Sequence, residues 1–333
     1  MRAPEARGRT RTWHSWATVH ASSALGILLA GIAGLTVIGL TLIACEGGLV
    51  PATPGASVAG VSSGPTSSHG ASTATPSTPA PSRTAPAASA PKRQESVAVG
   101  DDERVVDLFV PPTPAGTRAP LLVLLHASGE SPFLMASESH AGELAAREGV
   151  IVALPPALGR RWDGMVSAGD PITPSADATY ILGLVDRLAA ELPVDRGRVF
   201  VAGFSIGAVM SERIACQFAD RVTAVALNAG APWSDTCSPP RPLPILVMHG
   251  TEDSTFRIAL ASQVVERWRA ADRCSGDAVV TKLSDIATSE LNDHCADDVE
   301  VQYVRYEGAG HRWFADPDAT DVMWSFFSAA APR

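Results

Sequence analysis

Arg198-Val199-Phe200-Val201-Ala202-Gly203-Phe204-Ser205-Ile206-Gly207-Ala208-Val209-Met210-Ser211-Glu212-Arg213-Ile214-Ala215-Cys216-Gln217-Phe218 is the stretch on which the fold is decided. Its first five residues form a short apolar run of the kind that makes a buried strand, and residues from Ile206 to Phe218 are helix-like. Between them lies Gly203-Phe204-Ser205-Ile206-Gly207, a G-x-S-x-G pattern placed where a strand turns directly into a helix. The turn is tight enough to need small residues on both sides of the serine, and it pushes the hydroxyl out at the helix N-terminus. A serine between glycines can also be an ordinary turn. The strand before it and the helix after it favour a reactive serine at 205.

Working outward, the same alternation repeats. Val105 to Val110 reads as an early strand, stopped by Pro111-Pro112. Leu121 to Leu125 and Val150 to Leu154 are continuous apolar runs, the sign of strands covered on both faces. Ile181, Leu184, Val185, Leu188 and Leu192 recur at helical spacing. Val222 to Leu227, Pro244 to Met248 and Val301 to Tyr306 supply three more strands, and residues 257–272 and 319–329 two more helices. Strand alternating with helix this often predicts an α/β domain: a mostly parallel sheet with helices on both faces. Only about sixteen residues separate the strand ending near Leu227 from the one starting near Pro244, too few for a large cap domain.

A serine hydroxyl is a weak nucleophile until a base takes its proton and a third group orients that base. His311, in Glu307-Gly308-Ala309-Gly310-His311-Arg312-Trp313 after the last predicted strand, is the expected base. His294 reads as a surface loop residue. The acid is expected at Asp253, in His249-Gly250-Thr251-Glu252-Asp253, with Glu252 and Asp235 as lesser candidates and His249 supporting the acid loop. A developing oxyanion needs donors, each worth about 3 kcal/mol when removed. The N–H of Ile206 is one, and the turn after Leu125 should give the other, from Ser128 first or Ala127 second. His126, His249 and His311 are isolated, without H-x-x-x-H or C-x-x-C spacing, so no metal is expected, and nothing in the sequence suggests a cofactor.

Charge and the chain's start set the surroundings. Of 333 residues, 46% are apolar and 18% charged, with a formal net charge of −9, which suits a core-forming domain and argues against a nucleic-acid partner. Residues 1–45 join a basic head to the uncharged apolar run from Ala21 to Ala44, the pattern of an export signal. Leu42-Ile43-Ala44-Cys45 resembles a bacterial lipobox, which implies lipidation of Cys45 and a membrane anchor. An uncleaved membrane helix is the alternative, and either places the rest outside the cytoplasm. Residues 46–96, with eight prolines from Pro51 to Pro91, read as a flexible linker, and 97–333 as the folded domain.

These residues together resemble a family. LLVLLHASGES, AAREGVIVALP, RRWDG, LPVDRGRVFVAGFSIGAVMSERIACQFADRVTAVA, PILVMHGTED and YEGAGHRW, in that order, are similar to the secreted polyhydroxybutyrate depolymerase and feruloyl esterase group of α/β-hydrolases, including its actinobacterial lipoprotein esterases. The resemblance implies the α/β-hydrolase fold, with Ser205 as nucleophile, Asp253 as acid and His311 as base. It implies an esterase acting through an acyl-enzyme on a bulky, polymeric or aryl ester. It also implies that Trp162 borders the substrate cleft, against the alternative of an aromatic plug over the sheet. His126-Ala127 stands where the family usually has His-Gly, and Ser205-Ile206-Gly207 where it often has Ser-Asn-Gly. Transfer of the acyl group to a cell-wall glycan, or a non-catalytic wall-binding lipoprotein, are the alternatives. Cys216, Cys237, Cys274 and Cys295 allow three pairings. Cys216–Cys237 and Cys274–Cys295 are expected, and the resemblance supports this local pairing.

Overall fold

The computed structural model describes residues 88–167 and 170–330. The expected leader over 1–45, its Cys45 and the expected 46–96 linker as far as residue 87 lie outside them. The folded chain begins earlier than the expected residue 97. Ala90 is buried and its N–H donates to the Gly142 carbonyl at 2.9 Å. A first strand, β1 (Lys92–Val99), pairs antiparallel with β2 (Asp102–Phe109), from Lys92 opposite Phe109 to Val99 opposite Asp102. Lys92-Arg93-Gln94-Glu95-Ser96 has no apolar alternation, so it reads as linker. Main-chain pairing holds it in the sheet, helped by Lys92 and Gln94 on the Asp107 carboxylate, each at 2.7 Å.

The apolar run at Leu121 lies in β3 (Ala119–Leu125), whose seven residues are all buried. Two short helices follow, α1 (Pro132–Glu138) and α2 (Ala141–Glu148), before β4 (Ile151–Leu154). Neither helix is long enough for its periodicity to stand out, although Ser131 caps α1 by accepting the Leu134 N–H. Then come α3 (Ala176–Glu191), β5 (Val194–Phe204), α4 (Ile206–Phe218), β6 (Ala224–Asn228), β7 (Ile245–Gly250) and α5 (Ile258–Ala271). A hairpin of β8 (Val279–Lys282) and β9 (Ala287–Asn292), then β10 (Val301–Tyr306) and α6 (Ala319–Ala329), complete the described chain.

The ten strands lie in the order β1-β2-β4-β3-β5-β6-β7-β10-β9-β8. The six from β4 to β10 are parallel, with an antiparallel pair at each end. Parallel strands are buried on both sides because their crossovers place helices there. Leu121, Val123 and Leu125 accordingly face α3, α4 and α5, in a core with Ile181, Met210 and Trp268. Leu122 and Leu124 face the other way, with Leu144 of α2 and Phe327 of α6. The sequence carries no signal for the β8–β9 hairpin, because all four β8 residues are exposed and β9 buries only small or polar side chains. Residues 229–244, between β6 and β7, carry no helix and no cap.

That loop is tied to α4 from two directions. Both expected disulfides are present, Cys216–Cys237 and Cys274–Cys295, and the first joins the end of α4 to the loop. One turn earlier, Glu212 is fully buried, accepts the Trp233 N–H at 2.7 Å and lies 3.4 Å from an Arg267 nitrogen. Burial pushes its carboxyl up to about 7, and Arg267 only partly opposes this. The native state therefore keeps a proton on Glu212 at pH values where the unfolded chain has released it, and stability falls as pH rises from about 4.5 to 7. Relative to Glu212→Gln, the wild-type unfolding free energy should decline across this window by at most about 1.4 kcal/mol per pH unit. Urea denaturation of both proteins between pH 4.5 and 8 measures it, and a constant difference would refute the shift.

Candidate active site

Three loops at the C-terminal ends of parallel strands carry the site, where an open α/β sheet leaves its crevice. Ser205 stands between β5 and α4 with φ 57° and ψ −121°, a conformation rarely adopted by a residue with a side chain. Its N–H donates to the Asn228 carbonyl at 2.9 Å, and its carbonyl receives the Ala208 and Val209 N–H groups. The flanking glycines are needed for space. A Cβ on Gly203 would lie 2.3 Å from the Gly207 carbonyl carbon, and one on Gly207 would lie 2.4 Å from the Leu125 oxygen. Helix and strand approach too closely here for any side chain.

The acid and the imidazole come from neighbouring strands, β7 and β10, which pair in register from Ile245 opposite Val301 to Gly250 opposite Tyr306. Their outgoing loops are bonded together by Thr251 N–H to the Tyr306 carbonyl at 3.0 Å and Glu252 N–H to the Ala309 carbonyl at 2.9 Å. His311 Nδ1 lies 2.7 Å from Asp253 Oδ2, and its Nε2 lies 2.8 Å from Ser205 Oγ. A carboxylate can only accept, so Nδ1 carries the ring proton and Nε2 faces the hydroxyl as an acceptor. The Asp253 side chain is fully inaccessible, and its other oxygen accepts the Thr255 and Phe256 N–H groups at 2.8 and 2.9 Å. Phe204 and Phe256 flank the imidazole, with ring centroids 5.1 and 5.8 Å away. Of the acids weighed, Asp253 is the one on His311. His294 is exposed, as expected of a surface loop.

His249 lies behind Asp253. Its Nε2 is 2.7 Å from the Phe256 carbonyl and 3.4 Å from Asp253 Oδ2, so Nε2 holds the proton and donates it to the main chain. Burial lowers its pKa and keeps the ring neutral. Its contacts are with the acid loop.

The turn after β3 faces the serine. His126 Nδ1, 2.7 Å from the Ala127 carbonyl, carries a proton for it, while Nε2 accepts the Ala157 N–H at 3.1 Å. Burial lowers the pKa of this ring also. Trp162 corrects one expectation. It is 2% exposed, its Nε1 donates to the His126 carbonyl at 2.9 Å, and it does not line the cleft. It is the buried plug, and it secures the turn from beneath. Ala127 and Ser128 do line the cleft, with Ser205, His311, Phe204 and Trp313 around a space of about 530 Å³. Ile206, as the first residue of α4, has no intrahelical acceptor for its N–H.

Asn228 is a site residue that the sequence pattern does not single out. Fully buried at the end of β6, it accepts from Ser205 through its carbonyl and donates from Nδ2 to the Arg312 carbonyl at 3.0 Å. One residue thus joins the serine turn to the histidine loop. Its only sequence signal is a polar residue closing the buried run Ala224-Val225-Ala226-Leu227. Among the described residues no group of His, Cys, Asp or Glu is arranged to hold a metal ion.

Such an arrangement can withdraw the proton from a serine hydroxyl as that oxygen attacks an electrophilic carbon, with main-chain N–H groups nearby to take negative charge. Because a misplacement of 1 Å costs about 100-fold, Gly207→Ala should slow fluorophosphonate labelling of Ser205 by at least about that factor. Time-resolved labelling followed by mass spectrometry reads it; an unchanged rate would mean the turn tolerates a side chain.

Residues 105–309 match the family described as esterase PHB depolymerase. A bifunctional acetylxylan esterase/xylanase of Neocallimastix patriciarum is 26% identical over 65% of this chain and 32% of its own length. Feruloyl esterase B of Piromyces equi is 27% identical over 58% of the chain and 39% of its own. The chain thus spans about a third of the length of these relatives. An acetyl xylan esterase from Aspergillus awamori superposes with a TM-score of 0.59 at 17% identity, over 72% of this chain and 99% of that one. An S-formylglutathione hydrolase from Agrobacterium tumefaciens superposes with a TM-score of 0.51 at 11% identity, over 72% and 95%. These likenesses confirm the α/β-hydrolase fold.

Proposed function

Since this chain belongs to the esterase PHB depolymerase family, we propose that it hydrolyses carboxylic esters through an acyl-enzyme on Ser205. The observation that carries this reading is the unbroken chain of hydrogen bonds from Asp253 through His311 to Ser205 Oγ. In the proposed reaction Ser205 Oγ bonds to the ester carbonyl carbon as its proton passes to His311 Nε2. The carbonyl oxygen, now anionic, is held by the N–H groups of Ile206 and Ser128. Ala127, the second candidate for that donor, has already given its N–H to the Glu130 carboxylate at 3.1 Å. Collapse breaks the carbon–oxygen bond, and the alcohol departs with the proton from His311. Water then attacks the acyl-enzyme, His311 takes its proton and returns it to Ser205, and the acid is released. Asp253 fixes the tautomer and stabilises the transient imidazolium.

We assign the substrate as a bulky, polymeric or aryl ester. Residues 229–244 are too short to roof the cleft, and the matched relatives are named for acetylxylan and feruloyl esters. Two disulfides suit an oxidising compartment, in keeping with an extracytoplasmic location. Purified protein should turn over feruloyl and hydroxybutyrate esters at least as well as short p-nitrophenyl esters; activity on the smallest esters alone would refute the substrate class. Ser205→Ala should abolish turnover. Asp253→Asn should lower kcat about 10⁴-fold by favouring the wrong tautomer; full activity in either variant would overturn the mechanism.

A further inference from the structure

We propose that Glu130 is a positioning residue for the Ser128 oxyanion donor, acting as a hydrogen-bond acceptor, while its negative charge works against the reaction it helps to organise. This inference rests on the hydrolase reading above and adds a residue to it.

In the turn after β3 the main-chain N–H groups of Ala127, Gly129 and Glu130 are all committed. Ala127 donates its N–H to Glu130 Oε2 at 3.1 Å and accepts the Glu130 N–H at 3.2 Å, so Glu130 closes the turn from both directions. The Gly129 N–H donates to the Arg160 carbonyl at 2.8 Å, and Arg160 Nε donates to the Glu130 carbonyl at 3.1 Å. Trp162 holds the His126 carbonyl and His126 holds that of Ala127. Among the described residues no acceptor engages the Ser128 N–H, and Ser128 is exposed to the cleft that contains Ser205. That free N–H lies in the Ala127–Ser128 peptide plane, whose carbonyl is held by the Glu130 N–H and His126 Nδ1, while the Glu130 carboxylate fixes the preceding plane through the Ala127 N–H, so the two planes that meet at Ala127 are both anchored. Without an acceptor at 130 the Ala127 N–H would compete for the incoming oxygen or rotate towards solvent. Either would move Ser128.

A carboxylate is a stronger acceptor than an amide, but it brings a full charge. Glu130 lines the same cleft as Ser205, so any oxyanion at Ser128 forms facing a fixed anion. Glu138 lines the cleft too, and its carboxyl is pushed up by burial and then by the charge of Glu130. The field of Glu130 therefore reaches other groups around the cleft. Arg160 uses its Nε on the Glu130 main-chain carbonyl. Acceptor and charge can be separated, because glutamine keeps an oxygen for the Ala127 N–H and is neutral.

The test compares full-length wild type, Glu130→Gln and Glu130→Met on a neutral p-nitrophenyl ester. Active sites are counted by fluorophosphonate titration and folding is checked by circular dichroism; Glu130→Ala replaces the methionine variant if that one does not fold. Losing alignment of an oxyanion donor whose removal costs about 100-fold should lower kcat of the methionine variant by about 10-fold or more with KM little changed. The glutamine variant should exceed wild type, with kcat raised about 3-fold by loss of the opposing charge; a kcat no higher than wild type would overturn the opposing role of that charge. A boronic acid that mimics the tetrahedral intermediate should follow the same order in affinity. If glutamine and methionine lower kcat equally, or methionine leaves it unchanged, Glu130 does not position the donor. A wild type that neither labels nor turns over esters would instead defeat the hydrolase reading itself.

Discussion

The closeness of one helix to two strands constrains everything else in this site. α4 begins where β5 ends, and its first turn presses on the outgoing end of β3, so that Gly207 lies where even a methyl group would meet the Leu125 carbonyl. That contact leaves Ser205 in a backbone conformation that side chains avoid, and the surroundings must hold it there. They do so with the Asn228 carbonyl on its N–H and with two α4 N–H groups on its carbonyl. A looser junction would relax the serine and move its hydroxyl away from His311. Packing density and proposed chemistry therefore meet at the same few atoms.

Strand order does the rest. β5, β6, β7 and β10 are consecutive neighbours, and each contributes one piece at its outgoing end: Ser205, Asn228, Asp253 and His311. A side chain 106 positions away in sequence becomes a hydrogen-bond partner because parallel pairing aligns the strand ends. The loops then lock by main-chain bonds between residues 251–252 and 306–309, so the Asp253–His311 geometry does not rest on side-chain packing alone. His126, His249 and Trp162 have supporting roles. Each donates a ring N–H to a main-chain carbonyl in a loop of the site.

Much of this was legible in the chain itself. The central strands announce themselves as unbroken apolar runs, and G-x-S-x-G with His311 and Asp253 at later strand ends points to the convergence seen in the fold. What escaped detection lacked that kind of signal. β1 is charged along its outer half, β8 has no buried side chain, and α1 and α2 are too short to display a period. Asn228 and Glu130 escaped because their significance lies in single hydrogen bonds to main-chain atoms distant in sequence or hidden inside a turn. Trp162 was ambiguous, since an aromatic residue near a cleft fits a wall or a plug equally well. Its indole N–H, directed at the His126 carbonyl, decides for the plug.

The two edges of the sheet are unlike. β1 opens with the charged residues Lys92, Arg93 and Glu95, whereas β8 offers Val279 and Val280, 53% and 65% exposed, with Lys282 as its one charge. An outermost strand with bare main-chain groups and apolar side chains is a template on which further strands can grow. Crowding in a concentrated sample would first be felt there, on the hairpin farthest from β1. A charged residue at Val280 would then be a means of keeping the protein dispersed without disturbing the rim that carries Ser205 and His311.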